Sequence, residues 1–118
     1  MDGAREPWSG ALLVPFLLLS MQDGKLYGHE LLERLGELGY EGTRPGEIYR
    51  TLWLLEGEGL TLSERGEMEY LLSQRGYGLS EVGHAFLEFL AHSLEQYRRE
   101  VERFLLAYEG QPAYGMLR

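Results

Sequence analysis

Cysteine is absent from the 118 residues, which excludes disulfides and thiolate metal sites and fits a reducing compartment. Basic residues are scarce: eleven against nineteen acidic residues give a net charge of −8, whereas DNA-binding proteins usually carry a basic face. Long hydrophobic runs are also missing, because the apolar stretch from Ala11 to Leu19 is too short to span a bilayer and contains Pro15. The polar residues 1–7 lack the features of a signal peptide, and we expect them to be the flexible N-terminus of a cytoplasmic protein.

Signatures of catalysis and of metal or cofactor binding are missing as well. His29, His84 and His92 form no HxxxH or HExxH pair, so we expect no metal site. The chain has no nucleophile beside a base, no glycine loop that could hold a phosphate and no GxSxG sequence. The sequence therefore predicts a protein that is not an enzyme and that uses no cofactor.

The first half of the chain carries two helical patterns. The apolar residues from Trp8 to Met21 predict a buried helix, with Ser9 as its N-cap and Pro15 as an internal disturbance. Leucines recur at helical spacing from Tyr27 to Leu38 with charged residues between them, which predicts an amphipathic helix. Both helices precede the segment that carries most of the functional information.

That segment begins at Pro45. Proline suits the first position of a helix, where its missing N–H would be unpaired in any case. Ile48 and Leu52 lie on one side of the predicted helix, and Gly57 and Gly59 follow it as stop signals. A short helix placed between an upstream helix and a downstream hairpin is typical of the reading element of a winged helix-turn-helix.

The hairpin and a long helix complete the predicted order of elements. Leu60 to Glu64 and Arg75 to Leu79 read as two short strands, and residues 65–74 between them form a wing tip. Ser80 is the expected N-cap of a helix that the Gly110-Gln111-Pro112 sequence ends. We therefore predict a mainly α-helical fold with a small β-hairpin: a winged helix-turn-helix (residues 8–80), a C-terminal dimerisation helix (81–109) and a flexible tail (110–118).

The C-terminal helix has more apolar surface than so small a domain can bury. A helix of roughly thirty residues spans about 45 Å, and an uncovered stripe of its aromatic residues would be a large patch for a monomer. Folding back on the first helix would cover part of it, and a symmetric homodimer is the alternative we favour. The residues expected at the dimer interface are Trp8, Phe86, Phe89, Leu90, Leu94, Tyr97, Val101 and Phe104.

Two sequence blocks resemble a known family. Tyr27-Gly28-His29-Glu30-Leu31 and Pro45-Gly46-Glu47-Ile48-Tyr49-Arg50-Thr51-Leu52, at this separation, are similar to the PadR-like transcriptional repressors. The similarity extends over roughly Trp8 to Glu109, and the subgroup it resembles most is the polyhydroxybutyrate-responsive one. It implies a winged helix-turn-helix, a dimer built by the C-terminal helix, and binding to palindromic promoter DNA. Some members of the family also bind planar aromatic ligands near the dimer interface.

The resemblance also implies which residues would contact DNA. Tyr49 and Arg50 match positions of the recognition helix near the DNA backbone, and Arg75 matches a basic position on the returning wing strand. Thr43 and Arg44 precede the recognition helix, where side chains and free N–H groups can reach phosphate. The full set of expected DNA-binding residues is Thr43, Arg44, Tyr49, Arg50, Arg65 and Arg75.

The chain departs from the family at positions that matter for DNA. Trp53 and Leu54 stand where two basic residues are common, and Gly78 replaces a usual basic residue of the wing. The segment from residue 40 to residue 80 holds four arginines and seven glutamates, a balance of −3, so its affinity for DNA should be modest. Trp53 could instead be a core residue, a partner-binding anchor or a stacking surface.

Three functions stay open at this point. The first is a homodimeric repressor. The second is a winged-helix module that binds another protein with weakened DNA binding, and its expected patch is Trp53, Leu54, Tyr70 and Leu71. The third is a sensor of aromatic ligands with a pocket of Trp8, Phe89 and Tyr97 at the dimer interface. The sequence names neither the operator nor an effector.

Overall fold

The structure, a computed structural model, describes residues 10–40, 42–64 and 72–117, apart from the side chains of residues 73 and 111–117. Residues up to Leu87 form one compact unit and residues from Glu88 onward form a second. The elements are α1 (Leu13–Ser20), β1 (Leu26–Tyr27), α2 (Gly28–Glu37), α3 (Pro45–Gly57), β2 (Thr61–Glu64), a 3-10 turn (Leu72–Gln74), β3 (Gly76–Leu79) and α4 (Glu81–Leu117).

Helix α1 begins later than the sequence pattern predicts. The expected start at Trp8 and the expected cap Ser9 lie outside the described residues, and the chain turns at Gly10 with a φ of +82°. Pro15 is then the third residue of the helix, where a backbone N–H has no partner within the helix. Proline therefore fits the first turn of α1, and the predicted internal disturbance is wrong.

Helices α2 and α3 end as the glycines predict. Gly39 adopts a φ of +87° after α2, and the Tyr40 N–H donates to the Leu35 carbonyl at 2.9 Å. After α3 the left-handed residue is Gly59, with a φ of +81°, while Gly57 is still helical. At its start, α3 has Pro45 in the first helical position, as predicted.

The sheet has one strand more than the predicted hairpin. The strand order is β1-β3-β2, and both pairings are antiparallel. Tyr77 of the central strand β3 lies opposite Leu26 of β1 on one side and opposite Ser63 of β2 on the other. Strand β1 has only two residues, too few for a hydrophobic pattern, so the sequence predicts Tyr27 to be the first residue of α2. Instead the Tyr27 N–H donates to the Glu30 carboxylate at 2.8 Å and the helix begins one residue later.

A leucine-rich core holds the first unit together. Each of the first three helices turns one apolar stripe inward, in agreement with the predicted periodicity. Thr61 of β2 is buried and its hydroxyl donates to the Leu52 carbonyl at 3.4 Å, which joins the sheet to α3. The fully buried side chains with the largest volume are Leu17, Leu18, Met21, Leu31, Leu35, Leu52 and Thr61.

Helix α4 starts as predicted and ends later. The Gly83 N–H donates to the Ser80 hydroxyl at 2.9 Å, which makes Ser80 the N-cap. The predicted end at Gly110 is wrong, because the helix continues to Leu117 and Gly110 lacks the left-handed backbone that would end it. None of the helices in the described part of the chain is long and apolar enough to cross a membrane.

Candidate nucleic-acid interface

A groove of about 330 Å³ lies between α3 and the wing. One face of α3 forms its first wall, since residues separated by three, four and seven positions lie above one another on a helix. The 3-10 turn and β3 form the opposite wall. The residues that line the groove are Gly46, Tyr49, Arg50, Trp53 and Glu56 from α3, and Leu72, Arg75 and Tyr77 from the wing.

Two tyrosines fix the distance between these walls. The rings of Tyr49 and Tyr77 have centroids 6.2 Å apart and planes at 31°. Tyr77 is 4 % exposed, and its hydroxyl donates to the Leu72 carbonyl at 3.2 Å. This contact holds the 3-10 turn against β3, so the wing wall is positioned by the core rather than by solvent-exposed side chains.

The groove contains hydrogen-bonding atoms that the described part of the chain leaves unpaired. The Tyr49 hydroxyl oxygen and Arg75 Nε are both buried and have no hydrogen-bond partner among the described residues. A buried polar atom without a partner costs free energy, so such a pair requires an explanation. A bound anion would supply acceptors for both groups.

Burial also sets the protonation of the two phenols. It raises the pKa of Tyr49 above its ordinary value. The pKa of Tyr77 is raised as well, chiefly by burial, although the nearby Arg75 cation opposes the shift. Both hydroxyls keep their protons at neutral pH: that of Tyr77 donates to the Leu72 carbonyl, and that of Tyr49 is available to donate to a ligand.

The structure brings three of the predicted DNA-binding residues together. Tyr49, Arg50 and Arg75 line the same groove, and Arg50 is exposed. Arg44 is also exposed, at the start of α3, where its carbonyl accepts the N–H groups of Glu47 and Ile48 at 3.0 and 3.1 Å. Their contact with DNA stays a prediction.

Thr43 and Arg65 are not placed in the groove. Thr43 is half-buried and lines a separate cleft of about 250 Å³ with Tyr40 and Pro45. Arg65 of the wing tip lies outside the described residues, as do Tyr70 and Leu71 of the predicted partner patch.

Trp53 and Leu54 are exposed on α3, with 71 % and 51 % of their surfaces accessible. The interpretation of Trp53 as a core residue is therefore wrong. Ile48 and Leu52 already occupy the buried stripe, and Trp53 lies one turn after Tyr49 on the groove side. The exposed tryptophan is part of the candidate interface.

Lys25 is a cation that the sequence patterns did not single out. It precedes β1, and its ammonium pairs with the Glu64 carboxylate at the end of β2, with β3 lying between these two strands. Gly78 leaves room for this crossing: a Cβ there would lie 3.1 Å from Lys25 Cγ, so the lysine stem would have to shift by a few tenths of an ångström. The sequence feature that could have indicated this crossing is the pair Gly76 and Gly78: alternate residues of a strand point to the same face, so one face of β3 carries no side chain at these two positions.

The helix of the second unit exposes large apolar side chains. Tyr97 and Phe104 have 53 % and 66 % of their surfaces accessible, and the rings of Phe104 and Tyr108 stack with centroids 6.3 Å apart. Val101 and Phe89 are exposed too, while Phe86, Leu90 and Leu94 are half-buried. Trp8 lies outside the described residues. Whether these residues meet a second copy stays a prediction.

Charged residues occupy another side of this helix. Arg98 pairs with Glu95 and with Glu102, the latter at 3.0 Å, and Arg99 approaches Glu95 at 3.8 Å. The hydrogen bond from Arg98 holds the pKa of Glu95 below its ordinary value. These pairs, three and four residues apart, support an exposed helix.

Comparison with known proteins identifies the family. The fold is similar to that of a PadR-like transcriptional regulator from Bacillus cereus, with a TM-score of 0.70 and 21 % identity, over 85 % of this chain and 97 % of that one. In sequence, the chain is 34 % identical over 79 residues to the transcriptional regulator Rv3488 of Mycobacterium tuberculosis, covering 67 % of this chain and 72 % of that protein. The chain belongs to the PadR-like transcriptional regulators.

A further PadR structure contains DNA. Bacillus subtilis PadR in complex with operator DNA matches 68 % of this chain and 46 % of that one, with a TM-score of 0.58 and 23 % identity. No family model matches the sequence. The winged-helix architecture predicted from sequence is confirmed by these PadR-like structures, which share it.

Within residues 10–40, 42–64 and 72–117, no group of three or more His, Asp or Glu side chains is placed to hold a metal ion. The described lining of this PadR-like groove offers two guanidinium groups and the Tyr49 hydroxyl beside an exposed indole, together with the carboxylate of Glu56.

Proposed function

We propose that this PadR-like chain is a cytoplasmic, homodimeric repressor that binds double-stranded promoter DNA through the groove between α3 and the wing. One observation carries the proposal: Tyr49, Arg50 and Arg75 converge in one groove, and Tyr49 and Arg75 each present a buried donor that no described residue pairs with. Phosphate oxygens accept hydrogen bonds from arginine and tyrosine in protein–DNA complexes. We infer that a phosphate of the DNA strand occupies this groove.

The charge of the groove sets the strength of the interaction. Among the described residues of the lining, Arg50 and Arg75 are the two cations in each protomer. The carboxylate of Glu56, which accepts a hydrogen bond from Ser63 at 2.9 Å, lies on the same lining. With four neutralised phosphates in a dimer, the logarithm of the binding constant falls with the logarithm of salt concentration with a slope of about −4. Binding is therefore modest and is lost early as salt rises.

The test is fluorescence anisotropy with labelled duplex DNA over a series of salt concentrations. Arg50→Ala and Arg75→Ala should each weaken binding and flatten the salt slope by about two units in the dimer, one per protomer. Arg103→Ala is the matched control, because it removes the same charge from an exposed position of α4. If all three substitutions change the affinity and the salt slope equally, DNA does not bind specifically in this groove.

The proposed dimer rests on the spacing of apolar residues in the second unit. Leu90, Leu94, Tyr97, Val101, Phe104 and Tyr108 follow one another at alternating intervals of four and three residues. This is the heptad spacing of two helices that pack along a common seam. A second copy of α4 covers the exposed aromatic surface, which is large for a monomer.

Two glutamate substitutions test the seam. Phe104→Glu places a charge in the seam and should convert the dimer to a monomer in analytical ultracentrifugation. Leu106→Glu is the control: Leu106 is also exposed, but it lies on the outer side of the heptad. Dissociation by both substitutions, or by neither, contradicts the proposed interface.

Exposure of Trp53 and Leu54 favours a second candidate, a protein-binding module on the same helix. Tryptophan is enriched at the energetic centres of protein interfaces. This function predicts no retardation of DNA at low salt with an intact dimer, and a co-purifying protein that is lost in Trp53→Ala. Retardation at low salt that depends on Arg50 supports the repressor instead.

An effector site at the dimer interface stays a prediction. Phe89 and Tyr97 are exposed aromatic residues of the second unit, and Trp8 lies outside the described residues. Quenching of tryptophan fluorescence by phenolic compounds, lost in Trp8→Phe, supports such a site. An unchanged spectrum counts against it.

A further inference from the structure

Trp53 is the most exposed apolar side chain among the described residues that line the groove, and phosphate chemistry does not explain it. Tyr49, Arg50 and Arg75 supply donors and charge, whereas Trp53 supplies a large apolar ring with one N–H. It lies on the same face of α3 as Tyr49 and Arg50, and 71 % of its surface is accessible. Packing in the core therefore does not account for a tryptophan at this position.

The edges of DNA bases offer one apolar group to such a side chain. In the major groove, the 5-methyl group of thymine is the apolar feature of the base edges, and guanine offers two acceptors that favour arginine or lysine. The indole N–H is a donor only and pairs with an acceptor such as adenine N7 or thymine O4. The thymine edge combines a methyl group with the O4 acceptor, and it is the methyl contact that distinguishes it from the other bases. We therefore expect a tryptophan on a reading helix to favour thymine, where a cation favours guanine.

The charge of this surface makes such a contact important. Arg50 and Arg75 are partly opposed by the Glu56 carboxylate on the same groove, and Glu47 is exposed on the first turn of α3. Contacts with phosphate supply sequence-independent affinity, and few are available here. Contacts with bases must then provide a larger share of the binding of a preferred sequence.

We infer that Trp53 is a specificity-determining residue that contacts the 5-methyl group of a thymine in the major groove. The inference rests on the proposed DNA binding by α3. It assigns a preference for one base to Trp53, whereas the phosphate contacts of Tyr49, Arg50 and Arg75 distinguish no base from another. Leu54, which is exposed but does not line the groove, has no part in it.

Removal of single methyl groups from DNA tests this inference. A duplex is first selected from a random double-stranded pool with the full chain, and each thymine is then replaced in turn by uracil, which lacks only the methyl group. We expect one or two replacements to lower the affinity of the wild-type chain about fourfold, the effect of one buried methyl-sized group. In Trp53→Ala the same replacements should have no effect.

Two variants and one spectrum complete the test. Leu54→Ala is the matched control and should keep the wild-type response to uracil. Trp53→Lys should shift the selected sequence from thymine to guanine at the same position. In a Trp8→Phe background, the selected duplex should also change the fluorescence of Trp53. Circular dichroism of each variant confirms that the fold is retained.

The outcomes separate this inference from the proposed function. If the chain binds the duplex but no uracil replacement changes affinity, or if Trp53→Ala responds like the wild type, the inference fails while DNA binding stands. A preference for single-stranded over duplex DNA overturns it as well. If no duplex is selected even at low salt, both the inference and the proposed DNA binding fail.

Discussion

Tyr49→Phe should change the stability of the free protein and its affinity for DNA in opposite directions. The substitution removes only the hydroxyl, whose oxygen is buried and has no partner in the described part of the chain. An unsatisfied buried polar group costs about 1–3 kcal/mol. Because the Tyr49 side chain is half-buried, we take the lower end, a gain of up to about 1 kcal/mol for the variant.

The same hydroxyl should matter once DNA is bound. A hydrogen bond to a charged group contributes about 1.5–3 kcal/mol, so its loss weakens binding by about tenfold or more. Burial holds the pKa of Tyr49 above its ordinary value, and the hydroxyl is therefore a donor throughout the pH range of the assay. Thermal unfolding measures the first effect, with a rise of Tm of about 4 °C at most. Anisotropy with duplex DNA measures the second.

Tyr77→Phe is the control for this experiment. The Tyr77 hydroxyl already donates to the Leu72 carbonyl, so its removal should cost about 0.5–1.5 kcal/mol of stability. We expect a lower Tm, and DNA affinity that changes less than in Tyr49→Phe. If Tyr49→Phe instead lowers Tm as Tyr77→Phe does and binds DNA like the wild type, the hydroxyl is structural and the proposed phosphate contact is wrong.

Three further predictions concern stability and pH. Gly83→Ala should lower the free energy of unfolding by more than about 2 kcal/mol, because a Cβ there would lie 2.0 Å from the Leu60 carbonyl oxygen. Gly36→Ala, where a Cβ would meet nothing within 4 Å, should raise it by about 0.5–1 kcal/mol, and thermal or urea unfolding measures both. Ser80→Ala removes the N-cap of α4 and also the hydrogen bond that the same hydroxyl donates to the Gly59 carbonyl at 2.6 Å, so it should cost about 1–2 kcal/mol of stability in the same assay. Ser80→Asp restores the cap but cannot donate to that carbonyl, so it should recover only part of the loss. The pKa of Glu95 is lowered by its hydrogen bond from Arg98, so this contribution to α4 is present above the ordinary carboxyl pKa and is lost as pH falls through the lowered one. Circular dichroism between neutral and acid pH should show a smaller loss of helicity in Glu95→Gln than in the wild type.

The sequence predicted the helices of the first unit because their stop signals are local. Gly39 ends α2 and Pro45 begins α3 through backbone preferences that need no knowledge of the fold. The predicted disturbance at Pro15 is wrong because the sequence alone does not fix which residue begins the first turn of α1. The two-residue β1 was missed because only its pairing with β3 defines it.

The residues of the candidate site could be predicted from the sequence, but their burial and their hydrogen-bond partners could not. Family resemblance pointed to Tyr49, Arg50 and Arg75, which the fold brings to one groove. The missing partners of the Tyr49 hydroxyl and Arg75 Nε depend on burial, which a linear pattern does not contain. The same holds for Trp53, since its helical position alone left core and surface equally open.

The passage of Lys25 over Gly78 links two positions that lie far apart in the chain. A Cβ at position 78 would lie 3.1 Å from Lys25 Cγ, so a side chain there would displace the flexible lysine stem by a few tenths of an ångström. The ion pair between Lys25 and Glu64 is therefore sensitive to the size of the residue at position 78, on the strand that lies between them.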